Sequence, residues 1–519
     1  MKNRFICFIT LLFIIVTLIG TLASCTNKKI QVVDPEIQEE IDKKVIAASK
    51  IASMVMENNL EGAYFRMSGD FRTSLSYEMF IKNWESAVKD FGELKNFTVD
   101  TSEYSLLNFY KIIKIKYNFS NGTLVARYLF NSNNLQPSEV TFGGKESLIT
   151  ENVLPLKDLC ADYFKFGCGI SGYNEKSSAL NVDKFMEIVE EQFSSCTSTN
   201  LMKPVYVLNQ ALCKNNLKNG IDEIGLDFSS INKTLNWCKE HKVSLRGHTL
   251  VWHSQTPDWF FKEDYESDGQ YVSREVMIQR LDSFIGQYLT YVQTNYPGTV
   301  YCWDVVNEAV DPENGDSSTD FMCRIKNSNQ PSGWYQTIGK DYPEVAFSIA
   351  RKYADKDVKL FYNDYGAIGK TKRQYIYNLC KSLKEKNLID GIGIQGYWDV
   401  KNPSLNEIET AINLYSELGL EIQLTEWTIP VASETEAGFI QQADRYASVL
   451  KLLQKLDTQG GGKADISCVS FFGLQDGFSL NVNDTNTSRL YDKDFNPKPV
   501  YYSIQDIFML YYMEDWFEA

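Results

Sequence analysis

Histidine is scarce: the 519 residues hold only His241, His248 and His253. That count all but excludes a buried multi-histidine metal site, and no metal or cofactor is expected. Positive charge is also in deficit, with 52 Lys and Arg against 67 Asp and Glu, a net charge of −15. A body this acidic is repelled by phosphate backbones, which argues against nucleic-acid binding. It leaves a neutral polysaccharide open as a ligand. No H-E-x-x-H, G-x-S-x-G or G-x-x-x-x-G-K-[ST] stretch occurs, so the usual zincin, serine-hydrolase and P-loop chemistries are absent. Two stretches fit G-x-G-x-x-G, from Gly167 to Gly172 and from Gly391 to Gly396. A dinucleotide fingerprint needs its glycines after a strand, opening a helix. The second stretch lies inside a strand-like run. The first ends one but leads into no doubly wound pattern. Hydrophobic residues at 44% and charged residues at 23% are ordinary globular values, so disorder, collagen and coiled coil do not describe the chain.

At the N-terminus, Lys2 and Arg4 precede an apolar or small run from Phe5 to Ala23. This is the pattern of a secretory signal, and the run is also about long enough to be a retained membrane anchor. Leu22-Ala23-Ser24-Cys25 resembles the bacterial lipobox, whose cysteine is acylated and becomes the mature N-terminus. The expectation is an extracytoplasmic lipoprotein, held on the bacterial cell membrane through Cys25. Of 11 cysteines, Cys7 leaves with the signal and Cys25 carries the lipid. The rest are odd in number and form no C-x-x-C pair, which does not suit a disulfide framework. Cys168, Cys302 and Cys468 sit in apolar runs, where a thiol packs as a small hydrophobe.

Residues 1–25 are thus read as signal peptide and 26–35 as a polar tether. Residues 36–62 carry apolar positions at helical spacing, and a second helix is expected near 75–91. Segments 94–104, 106–119, 122–131 and 138–148 are rich in Tyr, Phe, Ile, Val and Thr, with Asn121-Gly122 as a hairpin signal. Helices followed by a strand meander predict a small α+β accessory domain over 36–150, loosely similar to cystatin-like domains. From 160 to 519 short apolar strands alternate with helical stretches. The strands are expected at 164–171, 194–199, 243–251, 300–308, 359–364, 391–397, 421–427 and 466–473. Eight such units predict a (β/α)8 TIM barrel, with its active site at the C-terminal strand ends.

The fourth of these strands ends Asn307-Glu308 and the seventh carries Glu426. Fourth and seventh strands lie on opposite sides of a barrel mouth, so the two carboxylates face each other across it. Glycoside hydrolysis uses such a pair: one protonates the leaving oxygen, and in retaining enzymes the other, about 5–5.5 Å from the first, attacks the anomeric carbon. A lone glutamate is ordinarily a solvated surface charge. Two at matched strand ends beside aromatics are not.

Arg246-Gly247-His248-Thr249-Leu250-Val251-Trp252-His253-Ser254-Gln255-Thr256-Pro257-Asp258-Trp259 resembles the strand-three signature of glycoside hydrolase family 10, the β-1,4-xylanases. Trp303 to Ala309, Asn363-Asp364-Tyr365, Gly391 to Gly396, Thr425-Glu426 and Pro497-Lys498-Pro499 follow in the family's order, so the resemblance covers about 160–505. It implies Glu308 as acid/base and Glu426 as nucleophile. Asn307 would bond the sugar 2-hydroxyl. Asn200 and Lys203 would serve the glycone side, and His248, Trp252, Gln255 and Gln395 would line the cleavage subsite. Tyr365, Tyr397 and Phe472 complete the expected sugar-binding set. Trp259 and Trp334 are either rim aromatics or core.

Four departures from the family pattern bear on the chemistry. Its strand-two glutamate is Thr199, and its histidine after Gln395 is Tyr397. Its two floor tryptophans align with Phe472 and Leu480, and its Thr-Glu-Leu-Asp reads Thr425-Glu426-Trp427-Thr428. A phenol still donates a hydrogen bond but cannot become cationic. The segment 310–333 after strand four is also long and is expected to overhang the cleft. The resemblance implies a monomeric retaining endo-β-1,4-xylanase acting on xylan or xylo-oligosaccharides. Two other readings stay open: a surface lipoprotein that binds xylan without cutting it, and a barrel glycosidase for another β-linked glycan.

Overall fold

The computed structural model describes residues 35–101, 110–131, 135–142, 154–174, 176–328, 330–477, 487–505 and 507–508. Cys25, the segment 1–25 expected to direct export, and Leu480 lie outside them. The chain divides into two compact units.

The first unit places helices α1 (Pro35–Met56), α2 (Leu60–Phe65), α3 (Gly69–Ser74) and α4 (Tyr77–Val88) before strands β1 (Leu94–Asp100), β2 (Tyr110–Phe119), β3 (Gly122–Asn131) and β4 (Glu139–Phe142). The four strands form one sheet in sequential order. Its apolar face and the helices share a core that includes Phe80, Trp84, Ile115, Tyr117 and Tyr128. The Tyr117 and Tyr128 hydroxyls satisfy each other inside it at 2.8 Å. The two six-residue helices, α2 and α3, were not expected from periodicity. Each starts on a side-chain cap, Asn59 accepting from Gly62 N–H and Ser68 from Phe71 N–H, the usual remedy for unpaired N-terminal donors.

The second unit is a closed barrel of eight parallel strands: β5 (Lys165–Ile170), β6 (Ser195–Ser198), β7 (Ser244–Trp252), β8 (Val300–Asn307), β9 (Lys359–Asp364), β10 (Gly391–Ile394), β11 (Glu421–Trp427) and β12 (Asp465–Phe471). Neighbours in sequence are neighbours in space, and β12 closes on β5. The expected (β/α)8 barrel is therefore the fold, each expected strand lying within three residues of an observed one. The strands are buried almost throughout, as in any sheet covered by helices on its outer face. Arg246, Asp304 and Gln423 are buried among the strands and hydrogen-bonded to one another, Arg246 bridging the other two. Trp303 is fully buried and meets Tyr288 edge-on at 4.9 Å, a geometry that suits aromatic quadrupoles. Cys160, Cys168, Cys196, Cys213, Cys238, Cys302, Cys323, Cys380 and Cys468 are all buried free thiols, as their apolar surroundings imply. Among the described residues no helix is long and apolar enough to cross a membrane.

Candidate active site

The side chains of interest leave the C-terminal ends of the barrel strands. Asn307 ends β8, and Glu308 follows it with φ at +59°. A non-glycine residue in the left-handed region is strained by about 1–3 kcal/mol and persists only where its surroundings hold it. Here they do. The Glu308 N–H donates to the Asn363 carbonyl at 2.9 Å, and its own carbonyl accepts from Arg324 Nε at 2.7 Å. The expected strand thus stops one residue short of Glu308, and the turn aims its carboxylate into the mouth. Oε2 accepts from Trp252 Nε1 at 3.0 Å and Oε1 from Gln395 Nε2 at 2.8 Å.

Glu426 lies near the end of β11 and is 5% exposed. Its Oε1 accepts from Asn363 Nδ2 at 3.0 Å, and its Oε2 takes a short hydrogen bond from the Tyr397 hydroxyl. An amide chain joins the two carboxylates. Asn307 Oδ1 accepts from Asn363 Nδ2 at 3.0 Å and from Gln395 Nε2 at 3.3 Å, and each of those amides also reaches one glutamate. The reversed Asn307 amide would donate to the Asn363 carbonyl at 3.0 Å and accept from Trp252 Nε1 at 3.3 Å. It would also turn Nδ2 toward two amide donors, so the first orientation satisfies the network better. Asn363 is held in turn by Thr425 Oγ1 at 2.7 Å. It has room because a Cβ on the neighbouring Gly393 would meet its Oδ1 at 2.3 Å.

The other expected residues surround this pair. Lys203 Nζ donates to Gln255 Oε1 at 2.8 Å and Asn200 Oδ1 at 3.2 Å, and stands 4.7 Å over the Trp252 ring. Burial lowers Lys203 to about 8, partly offset by attraction to Glu426 and Glu308, so it is a cation at neutral pH. His248 is buried, with Nδ1 2.8 Å from Asp304 Oδ2. Arg246 pairs with the same aspartate. Burial would push the Asp304 carboxyl up, but Arg246 and His248 outweigh it and hold it below the usual range. Tyr397 is half exposed at its ring, which meets Phe472 edge-on at 6.1 Å, while its hydroxyl is tucked against Glu426. Burial of that hydroxyl, then the adjacent carboxylates, push the phenol well above its ordinary value. Tyr365 stands apart from this group: its hydroxyl accepts from Arg324 Nη2 at 3.0 Å, and Lys372 Nζ lies 3.3 Å over its ring. Trp334 is fully buried and donates to the Trp252 carbonyl, so it is core; Trp259 packs partly buried against the core. Thr199 is buried and its hydroxyl donates to the Ile170 carbonyl at 3.3 Å.

Two neighbours had been given no role by the sequence. Asn363 bridges Asn307 and Glu426, as above. His253 Nε2 lies 3.9 Å from Glu308 Oε2, and burial, with nearby Arg324, lowers the imidazole to about 4. Both stand in the quoted signature stretches, which was the only signal available. Among the described residues no His, Cys, Asp and Glu cluster forms a metal site.

A closed βα barrel with two carboxylates meeting one amide network at the C-terminal mouth is the architecture of a barrel glycoside hydrolase. Residues 155–507 match Glycosyl hydrolase family 10, and the chain belongs to that family. It is 42% identical over 311 residues to a Caldicellulosiruptor saccharolyticus protein, covering 58% of this chain and 95% of that one. It is 38% identical over 322 residues to endo-1,4-beta-xylanase B of Butyrivibrio fibrisolvens, covering 62% of this chain but 47% of that one, so it spans about half of that longer relative. Among solved structures it resembles the CBM22-1 and GH10 modules of Clostridium thermocellum endo-1,4-beta-D-xylanase 10B complexed with xylohexaose. The TM-score is 0.62 at 28% identity, over 76% of this chain and 78% of that one.

Proposed function

We propose that the protein is a retaining endo-β-1,4-xylanase that cuts the xylan backbone by double displacement. Glu308 protonates the leaving sugar oxygen while Glu426 attacks the anomeric carbon. The ionised Glu308 then draws a proton from water, which releases the sugar from Glu426 with net retention. One observation carries the reading: both glutamates are tied through Gln395, Asn307 and Asn363 into a single hydrogen-bonded unit at the barrel mouth. An oxocarbenium-like transition state spreads positive charge between them, and preorganised carboxylates stabilise it without reorganising. Asn307, Lys203, Asn200, Gln255 and His248 serve as the hydroxyl-recognising groups, and Trp252, Tyr397 and Phe472 as packing faces for the sugar ring. Relatives and solved structures named as endo-1,4-beta-xylanases support the substrate class.

The same proposal includes export, acylation of Cys25, a monomeric barrel and an N-terminal unit that acts as an accessory spacer. The binding-only alternative draws on Tyr397 and Phe472, which replace the family's histidine and tryptophan. Product analysis on defined xylo-oligosaccharides separates these readings. Wild type is expected to release β-configured reducing ends, and Glu308→Ala and Glu426→Ala to lose turnover by at least 1,000-fold, roughly the 4 kcal/mol or more that a lost reacting group costs. With added azide, Glu308→Ala should yield the β-glycosyl azide and Glu426→Ala the α-anomer, because azide substitutes for a different group in each. Tight oligosaccharide binding with no products from wild type would support the binder instead; turnover of another β-glycan alone would support the third reading.

A further inference from the structure

The described residues of the segment 310–333, long in the sequence, form a wall beside the mouth. Lys326–Asn327 pairs antiparallel with Gln330–Pro331, and Arg324 rivets the wall to the site. Its Nε reaches the Glu308 carbonyl, its Nη2 the Val310 carbonyl at 3.2 Å and the Tyr365 hydroxyl at 3.0 Å, and its Nη1 Asp311 Oδ2 at 3.3 Å. Between wall and Tyr365 lies a cavity of about 460 Å³, lined among others by Asp311, Glu313, Arg324, Lys326, Tyr365 and Lys372.

The charges here are unequally used. Asp311 is spent on Arg324 and, through Oδ1, on the N–H groups of Glu313 and Asn314 at 3.2 and 3.1 Å. Lys372 is spent on Asp364 Oδ1 at 2.7 Å. Glu313 is exposed at the rim, where solvent screens its charge. The Lys326 ammonium has no ion-pair or hydrogen-bond partner among the described residues, so the cavity presents one uncommitted cation in a chain whose net charge is −15. The Tyr365 ring, 42% exposed with Lys372 over one face, adds an apolar surface of the kind sugar C–H groups pack on.

We propose that this cavity is a subsite for a carboxylate-bearing branch of the glycan, a uronic acid substituent on the leaving-group side, with Lys326 as its specificity-determining residue. The assignment rests on the xylan-cleaving reading: the wall hangs on the Glu308 backbone, and Glu308 is the residue that protonates the leaving sugar. A neutral branch would leave the ammonium unpaired; a carboxylate supplies a charge-assisted acceptor.

The test compares three xylo-oligosaccharides of one backbone length: linear, glucuronosyl-branched, and the same branch with its carboxyl reduced to an alcohol. Wild type is expected to cut the acidic one with higher kcat/KM than its reduced twin. Lys326→Gln should shrink that ratio by about fivefold, the scale of one partly exposed ion pair, and leave the linear substrate unchanged. Glu313→Gln should widen the ratio. Calorimetric binding of the same compounds to Glu426→Ala reads the preference without turnover. A wild type indifferent to the carboxyl, or a ratio unmoved by Lys326→Gln, would overturn the subsite. Failure to cut even the linear chain, with the binding preference intact, would overturn the hydrolase reading and leave the subsite standing.

Discussion

Tyr397 is the residue at which this chain parts most clearly from the family pattern, where a histidine is expected. What survives is the hydrogen bond: the phenol donates to Glu426 Oε2. What is lost is the option of positive charge. The ring stays in place through its edge contact with Phe472, and burial beside Glu426 keeps the phenol protonated across the working pH range. Glu426, the proposed nucleophile, therefore has a constant donor rather than one that titrates. A hydrogen bond to a charged group contributes about 1.5–3 kcal/mol, so Tyr397→Phe is expected to lower kcat/KM by roughly 10- to 100-fold at every pH. Tyr397→His should recover part of the loss and add a pH dependence near the ordinary imidazole value of about 6.5. Steady-state kinetics from pH 4.5 to 8.5 on a linear xylo-oligosaccharide reads both. A Phe variant as fast as wild type would show that the hydroxyl does not support Glu426.

At the level of strands, the site depends on how β7 meets β8. His248 lies opposite Asp304, yet Trp252 lies opposite Asn307, because the register shifts between His248 and Val251. From its place opposite Asn307 the Trp252 indole reaches on to Glu308 Oε2 at 3.0 Å. The close approach needs Gly247: a Cβ there would stand 2.4 Å from the Trp303 ring. A buried indole locked against Tyr288 cannot yield, so Gly247→Ala should cost about 1–3 kcal/mol of overpacking. At roughly 2–4 °C per kcal/mol for a large unit, calorimetry should see the barrel transition fall by about 2–12 °C, and an unchanged transition would mean the strands part at no cost. Register of this kind separates what was legible in the sequence from what was not. The eight strands were legible because each is a short apolar run between turn residues, and two glutamates at matched ends follow from counting strands. The bridging of Asn363 was not, since it arises only when the barrel brings β8 beside β9, and β11 beyond the intervening β10, to a common mouth. Nor was the left-handed turn at Glu308, which no local propensity favours, or the short helices α2 and α3, whose six residues are too few to show a period.

For the whole barrel, two buried groups next to the site pull stability in opposite directions as pH changes. His253 is lowered from 6.5 to about 4, by burial first and by Arg324 second. The folded state therefore resists protonating it, and the stability this lends is present above 6.5 and lost as pH falls toward 4. Asp364 is raised from 3.8 to about 6 by burial, Lys372 opposing. The folded state holds that proton, and the stability is present below 3.8 and lost as pH rises through 6. Each displacement is on the order of 3 kcal/mol, and the windows nearly coincide. Between pH 4 and 6 the two contributions offset, so the pair makes the site's fold insensitive to acidity over that range. Removing either partner should expose the other. With His253→Asn, the melting temperature of the barrel, measured every half pH unit, should fall more steeply with rising pH than in wild type. With Asp364→Asn it should rise more steeply, whatever the absolute loss from leaving Lys372 unpaired. Two variants whose profiles run parallel to wild type would show that these groups titrate in the folded protein as they do in the unfolded chain.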